Sequence, residues 1–177
     1  DSAGFSQTFY RCTRLSKVPE NLFENYPNAG FSATFQGCGS SGFPFEVPEK
    51  LFTYCAGSSI FASLFDSAYI NGLPEKLFAH NPLAKNFSRC FNNTKGMGKI
   101  SSELFANNPL VENFSWCFYG ATLNEVPEGL FRNNTSVKTF EGCFANQTAL
   151  KNIPESLFDN CDKVENFNKT FYYCGNL

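Results

Sequence analysis

Phenylalanine pairs mark a pattern of apolar positions that recurs along the whole chain. The first member of each pair recurs every 26 to 30 residues, at Phe5, Phe31, Phe61, Phe87, Phe114, Phe140 and Phe167. The second follows four residues later, at Phe9, Phe35, Phe65, Phe91, Phe118, Phe144 and Phe171. Seven copies in one register indicate a repeat protein, in which one unit cannot bury its own apolar face and neighbouring units stack into a continuous core.

A second apolar group lies between the phenylalanine pairs. It consists of an aliphatic residue and proline followed by Leu-Phe, as in Ile153-Pro154 and Leu157-Phe158. One unit departs from it with Ile100-Ser101. The chain has 22 Phe against 7 Tyr and 1 Trp, which suggests one environment copied many times. We therefore expect equivalent rings to form ladders along the stack.

The last complete unit shows which elements this pattern predicts. An extended segment ends at Pro154, which suits the first position of a short helix carrying Leu157-Phe158. After a second extended piece, residues 167, 170, 171 and 174 have the i, i+3, i+4, i+7 spacing of one helix face. The prediction is an α/β solenoid of about six 26-residue coils with short strands and short helices, forming a single repeat domain over residues 1–177.

The two ends of the chain match the interior of the repeat. Asp1 to Gly4 correspond to residues before an opening phenylalanine, and Leu177 corresponds to the aliphatic start of another unit. Terminal repeats normally carry a polar cap. We therefore expect a fragment of a longer array, or ends that something else covers.

Net charge and apolar runs exclude two classes of partner. The formal net charge is −2, so the basic footprint of a nucleic-acid-binding protein is absent from the sequence. No apolar run approaches the length of a transmembrane helix, so this segment is not expected to span a membrane.

The repeat resembles the leucine-rich repeats of bacterial surface proteins of the BspA type, including the Treponema-type variants. The motifs that carry the resemblance are FNKTFYYC at 167–174, LKNIPESLF at 150–158 and VENF at 164–167. The resemblance implies a curved right-handed solenoid, export to the bacterial cell surface, and a role in adhesion or protein contact. It transfers no binding residue to this chain.

The eight Cys fall into two groups by their spacing from a phenylalanine. Five follow a phenylalanine by three residues: Cys12, Cys38, Cys55, Cys161 and Cys174. The other three directly precede one: Cys90, Cys117 and Cys143. We favour small buried apolar side chains over disulfides between adjacent coils. The disulfide alternative stays open because a rung of about 5 Å suits disulfide Cα spacing.

Catalytic and metal chemistry have little support, and we predict neither a cofactor nor an enzyme. No C-x-x-C pair exists, and the one His, His80, has no ligand-spaced partner. Glutamates such as Glu128 and Glu155 recur after proline in most units, which favours a structural position over a catalytic pair. Recurring asparagines such as Asn107 and Asn113 are interpreted as hydrogen-bonding turn backbone.

Departures from the repeat are the candidates for binding. Aromatic side chains at outward-facing positions can anchor a protein partner or stack on a sugar. A Gly- and Ser-rich loop at 37–47 adds two more phenylalanines. The candidate binding residues are Trp116, Tyr119, Tyr10, Tyr172, Phe43 and Phe45. The alternative is that Tyr172 covers a further coil and that Trp116 packs over a neighbouring one.

Three functions compete on this evidence. The first is a non-enzymatic, extracellular or cell-surface module for adhesion, with a host or matrix protein or another surface protein as its partner. The second is a structural spacer that carries another domain. The third is a glycan-binding module.

Overall fold

The structure, a computed structural model, describes residues 4–177, so residues 1–3 of the predicted domain lie outside it. Successive repeats stack directly on one another. In the coil that opens at Phe87, alternate backbone N–H groups donate to carbonyls of the next coil. These bonds join Phe87 to Asn113, Arg89 to Ser115, Phe91 to Cys117 and Asn93 to Tyr119, at 2.7–3.0 Å. The repeat length of the sequence is therefore the length of one coil.

Tight turns fill the segment that starts at each opening phenylalanine. The N–H groups of Cys90, Asn92 and Thr94 each donate to the carbonyl three residues earlier, at 3.1 Å. Two positions in every coil have a positive φ between 51° and 67°. They lie two residues after the opening phenylalanine (Gln7, Ala33, Ser63, Arg89, Trp116, Gly142, Lys169) and six residues after it (Arg11, Gly37, Ser67, Asn93, Gly120, Asn146, Tyr173). Positive φ at the third residue of a turn is typical of type II turns.

The predicted α/β, right-handed leucine-rich-repeat-like solenoid with short helices and short strands is wrong. Residues 4–177 contain no helix and only isolated bridges in place of strands. The parallel bridges are Ile60–Asn86, Asn86–Asn113, Asn113–Thr139, Thr139–Asn166, Phe45–Ile70 and Tyr69–Lys95, and one antiparallel bridge joins Ser40 to Phe43. After each opening phenylalanine a helix does not form, because the left-handed residues interrupt αR backbone and the N–H groups between the turns bond to the neighbouring coil. In the predicted first helix, the N–H groups of Leu157, Asp159 and Cys161 instead donate to carbonyls three residues earlier and form successive tight turns.

Three columns of phenylalanine rings form the core, which confirms the predicted ladders. Opening phenylalanines stack at 5.3–5.9 Å between ring centroids. The second phenylalanines stack at 5.2–5.8 Å. The Leu-Phe rings from Phe23 to Phe158 form the third column and lie at 5.9–6.2 Å from one another. Offset stacks and tilted pairs are favourable ring geometries, so the core is built from one contact repeated.

Buried polar side chains join the coils by bonding to carbonyls of the preceding coil. Asn108 Nδ2 donates to the carbonyls of Phe78 and Asn81 at 3.0 and 2.8 Å, and Asn81 and Asn134 make the equivalent pairs of bonds. Thr94 Oγ1 donates to Phe65 O at 2.7 Å. Each of these carbonyls also accepts a backbone N–H from its own turn, so the side-chain bonds add a second donor and tie one coil to the next.

The recurring asparagines noted in the sequence lie in turns and between coils, as predicted. Asn113 Oδ1 accepts a bond from the Ser115 N–H at 2.8 Å, which is an Asx turn. Asn86 and Asn166 make the same bond two residues on. Asn107 instead donates to Ala79 O of the preceding coil at 3.1 Å.

Candidate functional site

The tight turns that follow each opening phenylalanine form one face of the stack, which we call the turn face. Trp116 and Tyr119 form an aromatic pair on this face in the fifth coil. Their ring centroids lie 5.6 Å apart in an edge-to-face arrangement, and both side chains are half-buried. The six-membered ring of Trp116 lies over Gly142 of the next coil, where a Cβ would come within 2.6 Å of Trp116 Cδ2. The alternative interpretation, that Trp116 packs over a neighbouring coil, is therefore confirmed. A half-buried ring still leaves part of its surface for a ligand.

Tyr10 and Tyr172 occupy the same repeat position as Tyr119, in the first and last coils. Tyr10 is exposed, and the Arg11 guanidinium lies 5.2 Å from its ring centroid. Tyr172 is exposed and packs edge-on against Tyr173 at 4.5 Å. The stack places these two tyrosines at opposite ends of the described coils. They therefore do not form one site with Trp116.

The loop at 37–47 separates its two candidate phenylalanines. Phe43 is exposed at the loop tip, where the Arg14 guanidinium lies 4.9 Å from its ring centroid. Phe45 is fully buried and packs between Phe35 and Phe65, at 4.9 and 6.4 Å. The prediction of a binding role for Phe45 is wrong, because its side chain contributes to the core and has no surface to offer a partner.

Sequence reasoning missed an apolar surface on another part of the coils, which we call the leucine edge. It begins one residue after Phe78 and Phe105 and comprises Ala79, Pro82, Leu83, Ala106, Pro109 and Leu110. Leu83 is 47% and Leu110 39% exposed. Four of these residues line a shallow depression of about 680 Å³, together with Ala56, His80, Asn107 and Asn133. The repeated tripeptide Asn-Pro-Leu at 81–83 and 108–110 is the signal that could have found it.

The leucine edge is confined to the third and fourth coils. Ser136 and Lys163 replace the two leucines in the coils that follow, and Arg132 and Asp159 replace the two alanines. The core positions beneath do not change, since Phe131 and Phe158 continue the ring column. The apolar side chains are therefore not required by the packing of the repeat.

Charged residues line a cleft beside the leucine edge. This cleft has a volume of about 300 Å³, and its lining includes Glu49, Lys50, Glu75, Lys76 and His80. Glu20, one of the recurring glutamates, pairs with Lys50 at 3.9 Å, and both side chains are more than half exposed. No cluster of three or more His, Cys, Asp or Glu side chains within residues 4–177 is arranged to hold a metal ion.

All eight cysteines are free thiols, and six of them are buried. Cys90, Cys117 and Cys143 form a column in which burial raises the pKa of each thiol well above its usual value. Burial also raises the pKa of Cys38 to about 12 and that of Cys55 to about 11. Thiols held protonated in this way behave as small apolar side chains, which is the interpretation that the sequence favoured.

The described part of the chain has no helix with the length and apolar character needed to cross a membrane.

No family model matches the chain, and no curated protein matches it. Among solved structures, one chain from "Structure of the Toll - Spatzle complex, a molecular hub in Drosophila development and innate immunity" is similar at a TM-score of 0.29 and 16% identity. The similarity covers 86% of this chain and 28% of that one. A likeness at this level carries no argument about function.

Proposed function

We propose that the chain is a non-enzymatic module of a surface protein and that it binds another protein through the leucine edge. The observation that carries the proposal is the exposure of Leu83 and Leu110 beside four smaller apolar residues. Contiguous exposed apolar surface with a polar rim is typical of protein contact sites. The resemblance of the repeat to BspA-type repeats supports a bacterial cell surface as its location and a host or matrix protein as its partner.

Proline at two of the edge positions favours a preformed docking surface. Pro82 and Pro109 restrict the backbone on either side of the depression. Asn81 and Asn108, directly before them, are fixed by two hydrogen bonds each to the preceding coil. A partner would therefore meet side chains whose positions are set before binding, which reduces the ordering entropy of association.

The test measures binding of fluorescently labelled chain to a decellularised extracellular matrix preparation. The double variant Leu83→Glu/Leu110→Glu should weaken binding at least tenfold, because two charges would enter the contact. Lys163→Glu, at the equivalent position two coils further on, is the matched control and should bind like the parent. Pretreatment of the matrix with protease should abolish binding. Absence of binding by the parent chain, or equal binding by the double variant, would reject the leucine edge and favour the spacer role.

A further inference from the structure

A second surface departs from the repeat on the turn face, and its chemistry is polar as well as aromatic. The position five residues after each opening phenylalanine reads Tyr10, Gln36, Asp66, Asn92, Tyr119, Ala145, Tyr172. Its second, third and fourth members are an amide, a carboxylate and an amide in consecutive coils. Arg89 and Trp116 flank them at the position two residues after the opening phenylalanine. The polar–aromatic patch therefore comprises Gln36, Asp66, Arg89, Asn92, Trp116 and Tyr119.

Asp66 lies at the centre of the polar part of this patch and is only 9% exposed. Its Oδ1 accepts a bond from Ser67 Oγ at 2.8 Å, and its Oδ2 accepts a longer bond from Gln36 Nε2 at 3.4 Å. The ion pairs formed within residues 4–177 do not include Asp66. The carboxylate thus keeps lone pairs beyond its two side-chain bonds, and a ligand that donates hydrogen bonds would satisfy them.

Donors from the neighbouring coil lie beside this acceptor. Asn92 is 5% exposed, and its Oδ1 accepts a bond from Asn93 Nδ2 at 2.7 Å. This bond orients the amide and leaves the Asn92 Nδ2 group without an acceptor among the described residues. Arg89 is exposed and belongs to none of the ion pairs of those residues. The patch therefore offers one oriented carboxylate, one oriented amide and one exposed guanidinium.

Aromatic surface continues the row where its polar part ends. Tyr119 follows Asn92 in the same column, and Trp116 follows Arg89. The glycines in these two turns provide the space: the Asn93 side chain lies over Gly120, and the Trp116 ring lies over Gly142. The indole is thus held against the coil surface.

We propose that the polar–aromatic patch binds a neutral oligosaccharide laid along the stack. Carboxylate, amide and guanidinium groups match the donors and acceptors of sugar hydroxyls, and the C–H face of a sugar ring packs against Trp or Tyr. Three coil steps separate Gln36 from Tyr119, so the row spans roughly 14 Å at about 4.8 Å per step. That length suits a short oligosaccharide and exceeds a single ring.

A protein partner fits this patch poorly. Cores of protein interfaces are depleted in charged residues, whereas this patch holds a carboxylate and a guanidinium that a protein partner would have to desolvate. A hydroxyl-rich ligand instead brings its own donors to Asp66. The inference is independent of the proposed protein contact, because the leucine edge lies on a different part of the coil and shares no residue with the patch.

The experiment is binding of the chain to an array of immobilised neutral glucans, mannans, galactans and N-acetylhexosamine chains, followed by calorimetry with the best soluble oligosaccharide. Asp66→Asn and Trp116→Ala should each weaken binding at least tenfold. Asp66→Asn keeps the shape of the side chain, so a loss of glycan affinity in this variant would be due to removal of the negative charge. Gln7→Ala, at the Arg89 position of the first coil, is the matched control and should bind like the parent.

Two results would overturn the proposal. One is an array on which the folded parent chain binds no glycan above background. The other is binding that survives both Asp66→Asn and Trp116→Ala. The double variant Leu83→Glu/Leu110→Glu should keep full glycan binding, which separates this site from the proposed protein contact.

Discussion

The indole of Trp116 lies over Gly142 so closely that a Cβ on the glycine would stand within 2.6 Å of Trp116 Cδ2. Both residues hold the left-handed position two residues after an opening phenylalanine, with φ of 57° and 59°. A glycine in one coil thus creates the space that the aromatic side chain of the preceding coil fills. The pair shows how one departure from the repeat permits another.

Gly142→Ala should displace Trp116 and destabilise the fold. The left-handed backbone alone should cost about 1–2 kcal/mol for a residue with a Cβ, and the collision adds to it. Because the chain has 1 Trp, its fluorescence reports this site without interference. In Gly142→Ala we expect stronger iodide quenching of the Trp116 fluorescence and a lower midpoint of urea unfolding. Gly30→Ala is the control, since a Cβ there meets nothing within 4 Å; equal behaviour of the two variants would contradict the packing.

Lys169→Gly should stabilise the protein, although glycine usually destabilises. Lys169 is exposed and has a φ of 59°, which glycine adopts without the roughly 1–2 kcal/mol penalty of other residues. After subtraction of the roughly 0.5–1 kcal/mol that glycine loses in chain entropy, a gain of up to about 1.5 kcal/mol remains. Asn168→Gly, one residue earlier, should instead destabilise by about 0.5–1 kcal/mol. Urea unfolding of both variants checks the opposite signs, and a destabilising Lys169→Gly would contradict the argument.

Asn108→Ala should destabilise the stack by roughly 1–3 kcal/mol, because two buried hydrogen bonds to carbonyls of the preceding coil are lost. Asn107→Ala is its control. The Asn107 side chain also donates to a carbonyl of that coil, but it is exposed, and water can replace it. Its effect should stay below about 1 kcal/mol. Thermal unfolding measures both, and similar losses for the two would show that burial does not decide the contribution.

The repeat length, the register and the phenylalanine columns could be predicted from the sequence, because every unit marks the inward positions with the same residue type. The secondary structure could not. Phe167, Thr170, Phe171 and Cys174 have the spacing of a helix face, yet consecutive tight turns also bring a side chain inward every three or four residues. Helical periodicity alone does not separate these two conformations.

The left-handed positions were hidden by side-chain identity. Arg89, Trp116 and Lys169 occupy backbone that is usually marked by glycine. Among the equivalent left-handed positions of the coils, glycine stands only at Gly37, Gly120 and Gly142. The positions of the candidate binding residues could be predicted only in part. Trp116 and Tyr119 lie together on the surface, whereas Phe45 belongs to the core. The leucine edge was missed because single exposed leucines in a sequence cannot be distinguished from buried ones.

Thiol reactivity should divide the eight cysteines by burial. In the folded protein at pH 8, an aromatic disulfide reagent should react quickly with the exposed Cys12 and slowly with the half-buried Cys174. Cys90, Cys117 and Cys143 should not react, because burial raises the pKa of each thiol and excludes the reagent. In denaturant without reductant, eight thiols should be counted. A lower count would show disulfides between coils, and rapid reaction of the buried column in the folded state would contradict its packing.

Asp66 should make stability depend on pH in the direction opposite to that of a salt-bridged carboxylate. Burial raises the pKa of Asp66 above its ordinary value, so the folded state binds the proton more tightly than the unfolded state. Stability should therefore fall as pH rises from about 4, the ordinary Asp value, through the raised folded pKa. Asp66→Asn removes the ionisable group and with it this loss of stability. The variant should therefore be more stable than the parent at pH 7 and match the parent at pH 3. Urea unfolding at both pH values measures the difference. A variant that is less stable at pH 7 would show that the carboxylate contributes to the fold; a more stable one would show that the protein keeps Asp66 at the expense of stability, as expected for a residue that serves binding.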